Sequence, residues 1–194
     1  MISAIILAAG QSRRMGTNKL LLPFRGETMI RQIVRTVLKS RVDHVTVIVG
    51  HEADRVIHNL SGLEIQYVCN PHYQEGMLTS IRVGLEASPP QTEWALIVLG
   101  DQPTLESETI DLLLEAKSST VKGILVPTHR GVRGHPLLFS FRFKNEVLNQ
   151  FQETGLRGLL MAHPDEVQEV EVPSEAILRD VDRVEDYKRE VEMD

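Results

Sequence analysis

Short apolar runs alternate with stretches of helical period almost from the first residue. Residues 5–9 form a buried-strand pattern that ends in Ala8-Ala9-Gly10. After Leu20-Leu21-Leu22-Pro23 and Gly26, apolar residues at 30, 33, 34, 37 and 38 predict a helix lying on a sheet. Residues 45–49 read as a second strand stopped by Gly50, and a short helix follows near 53–60. A third strand at 64–69 ends at Asn70-Pro71, because Asn favours turns and Pro cannot donate to a ladder. A loop over 70–80 then opens a helix with Leu78, Ile81 and Leu85 inward.

The longest apolar strand, 94–99, reads as central and runs into Gly100-Asp101-Gln102-Pro103. Beyond it the pattern predicts a helix over about 107–117, a strand at 123–127, a glycine-rich excursion at 129–136 and a strand at 137–140. A helix around 145–151, a turn at 155–158 into a short helix, a strand at 167–172 and a closing helix at 184–192 complete the chain. This alternation is the grammar of an α/β, doubly wound, mostly parallel sheet with helices on both faces. No linker or repeat interrupts it, so one domain is expected over residues 1–194.

Composition narrows the function classes. Hydrophobic and charged contents of 42% and 25% are those of a soluble globular protein. A net charge of -6 without a Lys/Arg run gives no electrostatic footprint for nucleic acid. Cys69 is the one cysteine, which excludes an internal disulfide and a cysteine zinc site; its apolar run suggests a small core residue. No stretch has the length of a membrane span, and the amino terminus lacks the basic region of a signal peptide, so a cytoplasmic protein is expected. The seven histidines include no pair at metal-ligand helical spacing.

The candidate chemistry starts in the first loop, Leu7-Ala8-Ala9-Gly10-Gln11-Ser12-Arg13-Arg14-Met15-Gly16, with Lys19 beyond it. A strand hands over to a loop whose backbone can approach a ligand, and fixed cations lie where a phosphate chain would. Five residues between Gly10 and Gly16 exclude a Walker loop, and Gly10-Gln11-Ser12 lacks the second glycine of the dinucleotide fingerprint. Asp101 follows a central strand, where open sheets gather ligands; it reads as a metal ligand or as a turn aspartate. Asp182 reads as a second metal ligand or a helix cap. Thr79 and Ser80 read as ligand contacts at a helix start or as its cap, and His135 as a site residue or a turn residue. Nucleotidyl transfer fits this set: Arg14 and Lys19 for the triphosphate charge, Asp101 and Asp182 for Mg²⁺.

The first loop, Asn70-Pro71, Gly76-Met77-Leu78-Thr79-Ser80, Gly100-Asp101-Gln102-Pro103, Gly134-His135-Pro136 and Asp180-Val181-Asp182 together resemble the MobA-like nucleotidyltransferases, which act on the molybdenum cofactor. The resemblance implies a Rossmann-like nucleotidyltransferase fold and transfer of CMP from CTP to molybdenum-bearing molybdopterin, with release of pyrophosphate. It implies that Leu7, Ala8, Ala9 and Gly10 face base and ribose, that Arg14 and Lys19 meet the phosphates, and that Asn70 and Ser80 are nucleotide contacts. Asp101 and Asp182 would hold Mg²⁺, and His135 would lie on the cofactor side. A molybdoenzyme receiving the product is a further implied partner. Guanine-using relatives usually carry glycine where this chain has Ala9, which favours cytosine. Asp182 is followed by Arg183-Val184-Glu185-Asp186 where relatives usually have Thr-Pro. Competing expectations are a guanylyl or sugar-phosphate transferase of the same fold, and a nucleotide- or flavin-binding oxidoreductase or cofactor carrier.

Overall fold

A computed structural model describes residues 1–192. The chain runs β1 (Ile2–Ala8), a small hairpin of β2 (Pro23–Phe24) and β3 (Glu27–Thr28), α1 (Met29–Lys39), β4 (His44–Val49), α2 (Ala53–Asn59), β5 (Gln66–Cys69), α3 (Met77–Ala87), β6 (Trp94–Leu99) and α4 (Ser107–Ser118). It continues through β7 (Ile124–His129), β8 (Val132–Arg133), β9 (Leu137–Ser140), α5 (Lys144–Asn149), α6 (Leu156–Ala162), β10 (Val167–Glu171) and α7 (Val184–Glu192). The main sheet has the order β10-β7-β9-β6-β1-β4-β5, with β8 paired to β7.

β1 lies between β4 and β6, parallel to both, with Leu7 opposite Ile48 on one side and Leu99 on the other. Ala4, Ile5 and Ile6 are wholly buried, as a parallel strand covered on both faces requires. One face is covered by α1 and α4 through Ile30, Ile33, Val34, Ile110 and Leu113. The other is covered by α3, α5 and α6 through Leu78, Ile81, Leu85, Val147 and Leu159. Thr28 caps α1, its hydroxyl accepting the Arg31 amide at 3.4 Å. The hydrophobic stripe expected on α1 is buried from Ile30 to Val37, while Leu38 at its end is exposed.

The sheet is mostly parallel, as expected, with β9 running antiparallel to both β6 and β7. One expectation changes. Cys69 is exposed and is not a core residue: β5 is the last strand of its side of the sheet, and Cys69 closes it. The excursion after β7 is partly ordered as a hairpin, since Thr128 and His129 pair with Arg133 and Val132. Arg130 and Gly131, at φ 52° and 77°, make the left-handed two-residue turn that matches strand twist. Among the described residues no helix is long and apolar enough to cross a membrane.

Candidate active site

β1, β4 and β6 end on the same rim of the sheet, so their following loops converge there. The loop after β1 is locked locally: the Met15 amide donates to the Ser12 carbonyl at 2.9 Å, and the Ser12 hydroxyl accepts the Lys19 amide at 3.1 Å. Asn18 then caps a short turn by accepting the Leu20 amide. These bonds aim Lys19 inward, where its Nζ meets Asp101 Oδ2 at 2.7 Å and Asp182 Oδ1 at 2.9 Å. Arg14 Nη1 reaches the other oxygen of Asp182 at 3.2 Å. Residues separated by more than a hundred positions in the chain thus form one charged cluster.

The electrostatics follow from this packing. Burial works against the Lys19 charge, but Asp101 and Asp182 outweigh it and hold the ammonium above the ordinary lysine range. The hydrogen bond from Lys19 keeps Asp182 below the usual carboxylate value, with Arg14 and Arg183 adding to the effect. Asp180 moves upward, first through burial and then through the charge of Asp101. Gln102 donates to Asp180 at 2.6 Å and to the Ile177 carbonyl at 3.1 Å, while Val181 donates to the Asp101 carbonyl. The segment carrying Asp182 is thereby tied to the end of β6.

Asp101 lies in the turn that follows β6, and its carboxylate and that of Asp182 both accept the Lys19 ammonium. Neither caps a helix: Glu106 occupies the N-cap position of α4, and the amides of Asp182 and Arg183 donate to Asp186. Both carboxylates are spent on a shared cation, the Lys19 ammonium. Their hard oxygen donors are of the type Mg²⁺ takes. Among the described residues no group of three or more His, Cys, Asp or Glu forms a metal cage. A magnesium ion here would therefore complete its shell with phosphate oxygens and water, its usual mode of binding.

Beside this cluster is a cavity of about 180 Å³ lined by Leu7, Ala9, Gly10, Tyr73, Ser80 and Asp101, with Gly76, Met77, Leu99 and Gly100 completing it. Ala8 is buried and does not line it. A Cβ added at Gly10 would meet nothing, so the fold itself does not demand glycine there and leaves that space to the cavity. Gly50 is different: a Cβ would lie 2.8 Å from Tyr73 and 2.9 Å from Ala9, so its absence lets those two walls come together. Asn70 is wholly buried and lies behind the cavity, donating to Thr79 and Ser80 at 2.9 Å and accepting the His72 amide. Its amide holds Ser80, which does reach the cavity. Thr79 and Ser80 do not cap α3, whose N-cap is Gly76 without a side-chain bond.

His135 does not line this cavity; it precedes β9, with its amide donating to the Ile177 carbonyl at 3.0 Å. Its Nδ1 is buried without a hydrogen-bond partner among the described residues. Burial pushes the imidazole below its ordinary value, against the pull of Asp101. Two site residues escaped the sequence reading. Gln102 sat in a motif noticed for its aspartate alone, and Tyr73 was an aromatic in a loop with no periodicity to mark it; its position beside Pro71 and Gly76 was the available signal.

The MobA-like NTP transferase domain profile matches residues 4–167. The chain is 33% identical to the molybdenum cofactor cytidylyltransferase of Escherichia coli K12, over 96% of this chain and 93% of that protein. It is 28% identical to the nicotine blue oxidoreductase of Paenarthrobacter nicotinovorans, over 97% and 95% of the two chains. Among solved structures, Rv0371c from Mycobacterium tuberculosis superposes with a TM-score of 0.88 at 28% identity, covering 98% of this chain and 97% of that one. A manganese complex of the same protein matches with a TM-score of 0.79 at 26% identity, over 98% of each chain. With a profile match across most of its length and the charged rim just described, the chain belongs to the MobA-like NTP transferase family.

Proposed function

We propose that this protein transfers CMP from CTP to molybdenum-bearing molybdopterin and releases pyrophosphate. The observation that carries the reading is the Lys19 ammonium held between Asp101 and Asp182 beside a cavity that opens on Gly10. The 33% identity to a cytidylyltransferase supports CTP and molybdopterin as substrates. Ala9 supports cytosine over guanine, because its methyl is pressed between Gly50 and the cavity and takes up space a larger base would need.

In this reading Leu7, Ala9, Gly10 and Ser80 enclose the base and ribose, with Asn70 fixing Ser80 from behind. Arg14 and Lys19 meet the triphosphate and offset the charge that grows on the departing pyrophosphate. Asp101 and Asp182 would hold Mg²⁺, which when bound neutralises phosphate oxygens. The manganese complex of the Mycobacterium relative supports a divalent ion in this family. The protein forms no covalent intermediate; its residues position the phosphates and stabilise charge. His135 faces the acceptor.

Pyrophosphate release with Mg²⁺ and molybdenum-loaded molybdopterin, compared between CTP and GTP, tests the proposal. Release with CTP at least tenfold faster than with GTP is expected; equal rates remove the base preference, and no release with either removes the function. A second reading is favoured by the nicotine blue oxidoreductase relative. A bound flavin spectrum, or oxidation of a reduced nicotinamide without nucleotide turnover, would replace the first reading with that one.

A further inference from the structure

A third apolar core stands apart from the two that flank the sheet. Phe24 of the β2–β3 hairpin, Met29 and Val181 are buried at its centre, and Met15, Leu22 and Tyr187 pack around them. Three of the four charged residues in the cluster have an anchor here. Met15 follows Arg14, Leu22 lies three positions after Lys19, and Val181 precedes Asp182. The Leu22 amide also donates to the Lys19 carbonyl at 3.0 Å, which joins that anchor to its lysine through the backbone.

The Arg14–Asp182 pair joins residues 168 positions apart, but its side chains are 68% and 49% exposed. An ion pair that open to water is worth too little to fix two segments, so the buried apolar contacts must do it. α7 closes this core. The Tyr187 ring packs against it, and the Tyr187 hydroxyl donates to the Pro23 carbonyl at 2.5 Å, where the hairpin begins. Next to Tyr187, Asp186 Oδ2 accepts the amides of Asp182 and Arg183 at 3.2 and 2.9 Å. Glu190, a buried residue of α7, lies 3.5 Å from Arg179. α7 therefore grips the acid-bearing segment on both sides of Asp182, and the hairpin at Pro23.

We propose that Tyr187 and Phe24 are positioning residues, which hold Arg14, Lys19 and Asp182 in one register through this third core and touch no phosphate or metal themselves. The inference rests on the nucleotidyl-transfer reading above for what those three side chains grip; the coupling between their segments stands on the packing alone. Mg²⁺ demands a near-ideal octahedral shell, so a carboxylate that holds it tolerates little displacement. Loss of a group that orients such a ligand lowers metal affinity or activity by about 10–100-fold without contact to the metal. Shrinking Tyr187 releases α7 from the hairpin, and with it the Asp182 carboxylate from its register with the loop after β1.

The test reads the coupling first and the ligand second, on the full chain. In Tyr187→Ala, amide hydrogen exchange is expected to quicken about fivefold in segments 12–18 and 180–183 together, as loss of one hydrogen bond of ordinary net strength allows, while β1 keeps its rate. Phe24→Leu, which keeps the core apolar, is expected to quicken the same two segments. Exchange that quickens in only one of the two segments, in α7 alone, or evenly through β1 as well overturns the proposal. Calorimetry of CTP binding at stepped Mg²⁺ concentrations gives a readout that plain destabilisation does not move. The Mg²⁺ concentration for half-maximal binding is expected to rise about tenfold in Tyr187→Ala and less than about threefold in Tyr187→Phe, which leaves the ring in the core. An unchanged Mg²⁺ dependence in Tyr187→Ala overturns the positioning role. Absence of CTP binding in the unmodified protein overturns the function proposed above, and joint exchange of the two segments would still uphold their shared register.

Discussion

Asp101 and Lys19 are joined by one short contact, yet their replacement has different consequences. Asp101 is partly exposed and adds little packing, so Asp101→Ala should leave thermal stability within a few degrees, as the loss of a partly exposed ion pair allows. Turnover should fall by at least roughly 10²-fold, because the group that faces the phosphates is gone. Lys19→Ala removes the cation between two carboxylates and should raise the CTP concentration needed for half-maximal rate. Initial-rate assays beside melting curves separate these effects. His135 carries a pH prediction. The unfolded chain takes up the proton at the ordinary histidine value of 6.5, whereas burial sets the folded value lower. Stability is therefore full above pH 6.5, falls as pH drops from there toward the folded value, and levels off below it. In urea titrations the unmodified protein should lose more stability between pH 7.5 and 5 than His135→Gln does.

Among the elements, α3 packs closely on the sheet at Gly84. A Cβ on Gly84 would lie 2.4 Å from Cγ2 of Ile5, a branched atom on a central strand that cannot swing away. Gly84→Ala should cost about 1–3 kcal/mol through overpacking. That lowers the melting temperature by roughly 2–4 °C per kcal/mol for a chain of this size, a shift read by calorimetry. The apolar runs of β1, β4 and β6 were legible in sequence because buried parallel strands are nearly continuous in hydrophobic residues. The direction of β9 was not, since a four-residue apolar run looks the same whichever way it is threaded. Cys69 failed for a related reason: being last in the sheet is a property of strand order, which no local window contains.

At the scale of the whole molecule the site is a meeting of distant segments, and its legibility was uneven. The first loop and Asp101 announced themselves by residue type next to a strand end. The role of Asn70 as an inward clamp on Ser80, and of Gln102 as the tie to Asp180, depends on contacts that spacing does not encode. A ligand bridging these segments should stabilise the entire fold, because it binds the folded chain and not the unfolded one. Saturating CTP with Mg²⁺, at about a hundred times its dissociation constant, should add about 2.7 kcal/mol. The melting temperature should then rise by roughly 5–10 °C. In Asp101→Ala the part of that rise that depends on Mg²⁺ should vanish, as thermal-shift curves with and without chelator would show.

The reversed strand β9 divides the rim between two histories. β1 and β6 bring their finishing ends to the Lys19–Asp101 cluster, while β9, between β6 and β7, brings its beginning, reached through the Arg130–Gly131 hairpin. Lengthening or rewriting that hairpin alters the β9 side of the rim and leaves the loop after β1 untouched. One side of the rim is thus open to change one loop at a time, with the other side held constant.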